Sequence, residues 1–122
     1  EFAKFGYEES DVLWPSAVAV DSSGNVYVAG EWLHTISVFD ATGAFLYKWG
    51  RPGTRDGELA RPSGMVFDND DNLFVVDSVN NRIQKFTRDG MFLDKFGEFG
   101  SGIFRWGVTV RLDTLPPLFA FI

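Results

Sequence analysis

Cysteine is missing from this chain altogether, and histidine occurs once, at His34. The first absence removes disulfides and thiolate metal sites and is compatible with any compartment. The second limits imidazole chemistry. A catalytic zinc usually takes three protein ligands, and a triad needs a nucleophile, a base and an orienting acid held together; one histidine cannot supply a histidine-rich metal site. There is also no run of about 18 apolar residues, so no membrane-spanning helix and no membrane partner is expected. Basic residues are few, with 11 Lys and Arg against 17 Asp and Glu and a formal net charge of -6. Nucleic-acid binding displaces counterions through a basic footprint, and the bulk charge therefore disfavours nucleic acid as a partner. The local exception is one loop carrying Arg51, Arg55 and Arg61, with Asp56 and Glu58 between them.

What the chain does have is a core-forming composition, 45% hydrophobic and 16% aromatic, interrupted by 13 Gly and 5 Pro that supply frequent turns. A 36-residue pattern runs without a gap from Pro15 to Gly50 and again from Pro62 to Gly97, offset by 47 residues. Identical pairs include Pro15/Pro62, Asp21/Asp68, Asn25/Asn72, Val28/Val75, Ile36/Ile83, Phe39/Phe86, Gly43/Gly90, Phe45/Phe92 and Gly50/Gly97. Glu1 to Gly6 matches the end of each copy, and a degenerate partial copy follows over 103–122. A self-similar unit of about 40–50 residues made of short strands is the signature of a propeller blade, which must stack on neighbours to bury its faces. The expected fold is all-β. It is a single partial array over residues 1–122, a β-propeller segment of four-stranded antiparallel blades with about two to three blades per chain.

Within each copy, alternation and turn chemistry predict four strands. The first covers Ala17–Val20 and Gly64–Phe67, where small residues suit a crowded axis. The second covers Asn25–Ala29 and Asn72–Val76, and the third Thr35–Phe39 and Arg82–Phe86. Thr42-Gly43 and Asp89-Gly90 then predict tight hairpins into the fourth strand. There Phe45, Tyr47 and Trp49 are expected to share one face, as are Phe92, Asp94 and Phe96. Fewer than three blades leave end faces bare, so Phe45, Trp49, Phe92 and Phe96 are expected to need cover. That points to a homo-oligomeric ring or a longer propeller, not an isolated closed monomer.

The run from Pro62 through Asp77, Asn80-Asn81-Arg82-Ile83 and Asp89 to Gly97, together with the loop Gly50–Leu59, resembles an NHL repeat. The resemblance reaches to about Val110 and implies a propeller, commonly six-bladed. It implies much less about function, because one fold carries many sites. The first copy departs from the pattern over residues 30–35, where Gly30, Glu31, Trp32, Leu33, His34 and Thr35 replace Asp77 to Arg82. This is either drift in a surface loop or a binding loop built around an aromatic. Asp77 and Arg82 read as a polar pair that fixes a loop.

The long loops, from strand four to the next strand one and from strand two to strand three, are expected at one end of the propeller. That face would present Glu31, Trp32, His34, Arg51, Arg55, Asp56, Asn80, Asn81 and Arg82 to a protein or a small polar ligand, with Trp32 at least partly exposed. Ser16 and Ser63 are placed at the mouth of the axial channel, and no catalytic group, cofactor or metal is assigned. Asp68-Asn69-Asp70-Asp71-Asn72 lacks the Gly and Glu of a calcium loop, having Leu73 and Val79 there, and reads as an acidic turn. The alternative function is a fragment or oligomer-forming unit of a propeller lyase or hydrolase. The amidating lyases are similar propellers that hold zinc with histidines, one class of them after the Pro that opens a blade. Here those positions are Ser16 and Ser63, so any catalytic residues would lie outside this chain.

Overall fold

The computed structural model describes residues 15–30 and 34–97. They form eight strands: β1 Pro15–Val20, β2 Val26–Gly30, β3 Thr35–Phe39, β4 Phe45–Trp49, β5 Pro62–Phe67, β6 Leu73–Asp77, β7 Arg82–Phe86 and β8 Phe92–Phe96. These make two four-stranded antiparallel sheets in sequential order, β1 to β4 and β5 to β8. The copies of the repeat are therefore the two sheets. Proline opens the inner strand of each, a position where its missing N–H does not break a ladder, and the register slips at Pro15/Ala17 and at Pro62/Gly64. The additional strand candidates over 1–6 and 103–122 lie outside the described residues.

Side chains that alternate along each strand divide each sheet into two apolar faces. Tyr27, Ala29, Ile36 and Val38 on the first sheet meet Met65, Phe67, Leu73, Val75 and Phe86 on the second, and Leu59 from the connecting loop joins them. Across that seam Tyr27 meets Phe67 edge-on at 4.8 Å and Trp49 tilts over Phe86 at 4.9 Å. Inner strand β1 lies against β5. The small residues Ala17 and Ala19 allow that approach and pack against the same core. Two further clusters form on the opposite faces, one of Val28 and Phe39, the other of Phe74, Val76 and Ile83.

The fourth strand corrects the expected facing. Phe39 pairs with Phe45, but Val38 pairs with Tyr47, so Leu46 is an extra residue in a β-bulge. A one-residue slip turns the side chains over. Phe45 accordingly packs on Phe39, Val26 and Val28, while Trp49 faces the second sheet. The same bulge at Leu93 places Phe92 in the seam and Phe96 against Phe74. Trp49 and Phe92 are thus half-buried between the sheets, not bare on an end face. Leu46 and Leu93, the inserted residues, point outward and are exposed.

The hairpins differ as well. Only the glycine of each Thr42-Gly43 and Asp89-Gly90 pair has positive φ, at 92° and 91°. Gly43 N–H donates to Asp40 and Gly90 N–H to Thr87. A type I turn followed by a left-handed glycine is the three-residue hairpin solution, longer than the two-residue loop expected from Asp-Gly.

Candidate functional site

The long-loop end is organised by one carboxylate. Asp77, at the end of β6, is fully buried and accepts hydrogen bonds from Ala60 N–H (2.6 Å), Asn80 Nδ2 (2.9 Å), Arg82 Nε (2.8 Å) and Gln84 Nε2 (3.1 Å). Arg82 begins β7 opposite Asp77 in the ladder, so pairing register alone brings the two together. The rest of the guanidinium reaches the connecting loop, donating to the carbonyls of Thr54, Arg55 and Glu58 at 3.1, 2.9 and 2.8 Å. Gln84 donates to Glu58 and accepts from Gly57 N–H, and Asn80 donates to Gly53. Buried polar groups require such partners, and here they are the backbone of residues 53–60. Four side chains of the second sheet thus hold the loop that enters it.

The first sheet contributes His34. Its Nδ1 accepts Arg61 N–H at 2.9 Å, which leaves the ring proton of the neutral imidazole on Nε2. His34 has φ 55° and Asn81, its counterpart in the repeat, φ 54°. Both take the left-handed conformation at the entry to the third strand, although His34 N–H returns to Gly30 O and Asn81 N–H to Ser78 O. Within the loop, Glu58 accepts Arg55 N–H at 3.0 Å and pairs with Arg51 at 3.1 Å. The Arg55 N–H, followed by the charge of Arg51, holds its carboxyl below the usual range.

The sequence-predicted face therefore divides. Arg51 and Arg55 are exposed, and Asp56 pairs with Lys95 at 2.8 Å on the surface. His34 and Asn80 are partly buried, whereas Asn81 and Arg82 are buried beneath the loop, so their side chains anchor the face from below. Glu31 and Trp32 lie outside the described residues, and with them the expected exposure of Trp32. Ser16 donates to Pro62 O at 2.5 Å, tying the two inner strands, and Ser63 hydrogen-bonds Ser78. Among the described residues no three His, Cys, Asp or Glu side chains gather as a metal site.

The opposite end holds a feature that reading the sequence missed, a cleft of about 500 Å³ between the sheets. Its walls come from the β1–β2 turn, Tyr27 and Tyr47 on one side and from the β5–β6 and β7–β8 turns on the other. The turns themselves are built by Asp21 and Asp68, whose Oδ1 atoms each accept two backbone N–H groups at 2.9 Å. Asp71 receives Ser22 N–H at 3.0 Å and the Ser22 hydroxyl, and these bonds hold its carboxyl below the ordinary value. Arg88 Nη1 lies 3.5 Å from both Asp21 and Asp71. Tyr27 donates to Asp21 at 3.4 Å, and burial, with the hydrogen bond to Tyr47, pushes its hydroxyl pKa strongly up. The signal for this cleft in the sequence was that most of its residues, Asp21, Asn25 and Asn72 apart, are not repeated.

Consecutive antiparallel four-stranded sheets, packed face to face with inner strands side by side, define a segment of a β-propeller. Comparison with known proteins is specific about the repeat: residues 59–86 match the NHL repeat model, and residues 5–31 a β-propeller repeat model. Residues 59–86 thus carry an NHL repeat within an all-β array of propeller-type blades. The chain is 37% identical over 59 residues to the brain tumor protein of Drosophila melanogaster, covering 48% of this chain and 6% of that protein. Among solved structures it resembles a Bacteroides fragilis protein (TM-score 0.63, 18% identity, 82% of this chain and 29% of the other). It also resembles the virginiamycin B lyase of Staphylococcus aureus (TM-score 0.53, 16% identity, 67% and 26%). At these identities the structural likenesses concern the fold alone. The chain spans a small part of each relative.

Proposed function

We propose that this chain is a non-catalytic NHL-type propeller module whose long-loop face engages a protein or a small polar ligand, within a ring completed by further blades. The observation that carries the reading is the clamp under the connecting loop. Asp77, Asn80, Arg82 and Gln84 hold the backbone of residues 53–60 through partly buried hydrogen bonds, while Arg51 and Arg55 stay exposed above it. A loop already held in its conformation loses little further freedom on binding, and arginine is a frequent anchor in interfaces. The net charge of -6 still argues against nucleic acid. Among the described residues no helix is long and apolar enough to cross a membrane. The remaining blades would come from a longer chain or from further copies of this one, since a propeller closes with four to eight.

The lyase alternative draws no support from the described residues, where the single histidine is engaged with Arg61 N–H as an anchor. Quantitative affinity capture tests the module reading directly. An Arg51→Glu/Arg55→Glu variant, folded as judged by its circular dichroism melt, is expected to lose the partners that the unmodified chain retains. Unchanged capture would contradict the loop face as the binding surface.

A further inference from the structure

The cleft at the turn end lies apart from the loop face and has no role in the reading above. Seven of its ten wall positions break the repeat, and four of these matter most here. Tyr27 and Tyr47 stand where the second copy has Phe74 and Asp94, and Asp71 and Arg88 stand where the first has Gly24 and Ala41. In a repeat array each blade faces the same packing problem, so positions that only pack are expected to recur. Phenylalanine satisfies the packing at Phe74, which is 3% exposed. A tyrosine at the equivalent Tyr27 adds a hydroxyl directed at the cleft. Asp71 has φ 59°, a left-handed conformation that Gly24 adopts at φ 86° without a Cβ penalty. Aspartate is one of the few non-glycine residues that tolerate this conformation, so the second copy carries a carboxylate there at small backbone cost.

Part of this arrangement ties the sheets together, since Ser22 donates to Asp71 and Arg88 bridges Asp21 and Asp71. A seam built only for attachment would close. This one leaves an open cleft of about 500 Å³, within the range of small-molecule sites. We propose that the cleft is a binding site for a neutral polyhydroxylated small molecule, a sugar or polyol, held between the Tyr47 ring and the Asp71, Arg88 and Asp89 wall.

The chemistry of the lining selects this class. An apolar ligand would strip water from carboxylates, amides and a guanidinium without replacing its hydrogen bonds. An anion would meet Asp21, Asp70, Asp71 and Asp89 against the single cation Arg88. A cation would find the best-placed carboxylates, Asp21 and Asp71, already facing Arg88. A hydroxyl both donates and accepts, and so can use the carboxylates as acceptors and Arg88, Asn25 and Asn72 as donors at once. Tyr47 is 37% exposed and offers an aromatic ring beside the polar wall, with its own hydroxyl donating to Arg88 O at 3.2 Å. Its ring can take the C–H face of a sugar while the polar groups take the rim.

The experiment is calorimetric titration, with saturation-transfer NMR, of the 122-residue chain against maltose, glucose and glycerol, with agmatine as cationic and inorganic phosphate as anionic probe. At least one neutral probe is expected to bind and to show transfer to its ring or chain protons. Tyr47→Ala is expected to weaken that binding by about tenfold or more, and Asp89→Asn by a smaller factor. Lys48→Ala, an exposed strand position outside the cleft, is expected to leave it unchanged. If Tyr47→Ala melts early, Tyr47→Phe decides: it keeps the ring, so saccharide binding persists while glycerol binding weakens. Binding of agmatine or phosphate in preference to every neutral probe would overturn the proposal, as would no binding by any neutral probe or affinity indifferent to both Tyr47→Ala and Asp89→Asn.

Discussion

Replacing Asp77 by alanine is the most demanding test of how this molecule is held together. The change removes the acceptor of four hydrogen bonds, from Ala60 N–H, Asn80, Arg82 and Gln84, at a fully buried position. It also leaves the Arg82 guanidinium beneath the loop with no counter-charge. Breaking a buried ion pair by removing one partner destabilises by about 3–5 kcal/mol. Arg82 keeps its bonds to Thr54, Arg55 and Glu58 carbonyls, which offsets part of the loss. The orphaned Ala60 N–H adds about 1–3 kcal/mol in the other direction. A net loss of about 4 kcal/mol follows, a large share of the roughly 5–15 kcal/mol that stabilises a domain. In urea, with a slope of about 1.5 kcal/mol per molar, the midpoint falls by about 2.5 M. An Asp77→Leu/Arg82→Met variant removes both charges together and is expected to lose less than Asp77→Ala. A loss below about 1 kcal/mol for Asp77→Ala would refute the reasoning, because a weakly coupled surface pair is worth no more than that.

Other consequences are equally open to measurement. At Gly90 an added Cβ would lie 2.5 Å from Trp49 Cδ2 at φ 91°, whereas at Gly24 it meets only Ala41 Cβ at 3.6 Å. Gly90→Ala is therefore expected to lower the melting temperature well below Gly24→Ala, by about 1–3 kcal/mol of added overpacking, and equal melts would count against the seam geometry. Trp49 Nε1 is buried without a hydrogen-bond partner, and the second copy has Phe96 at this position. Trp49→Phe should thus cost less than the 3–5 kcal/mol typical of large aromatic truncations, checked by chemical denaturation. Asp71 is held ionised by Ser22, so its folded-state pKa lies below its unfolded value. Its contribution is complete above the ordinary carboxylate pKa and is lost as pH falls through the depressed one. In ¹³C NMR titrations Ser22→Ala should raise the Asp71 midpoint, and no movement would contradict the assigned cause.

How far the molecule could be read in advance depended on which residues repeat. Identical pairs such as Val28/Val75 and Ile36/Ile83 lie in the ladders, and strand positions followed them to within one or two residues. The facing of the fourth strand did not. Periodicity assumes an unbroken register, and the bulge residues Leu46 and Leu93 are apolar, so nothing in their chemistry announced that they would turn outward. The Asp77 and Arg82 pair was legible because the two residues bracket a short turn between adjacent strands. Its partners Gln84 and Asn80 were not, since their hydrogen bonds run to loop backbone 26–27 residues earlier. The turn-end cleft was hidden for the reverse reason. It joins Tyr27 and Tyr47 to Arg88 across two sheets, and attention to matching residues passes over the ones that differ.

The claim on which the account rests is that the connecting loop is a rigid platform held from beneath, and native-state hydrogen exchange reads this residue by residue. Gly57, Leu59 and Ala60 N–H groups donate to Gln84 Oε1, Arg51 O and Asp77 Oδ1. Their exchange is expected to be protected to a level comparable with the β6 and β7 amides, and in a folded Gln84→Ala variant to accelerate sharply at Gly57 while Ala60, held by Asp77, stays protected. Exchange at the rate of an open loop in the unmodified chain would contradict the platform and the binding face built on it.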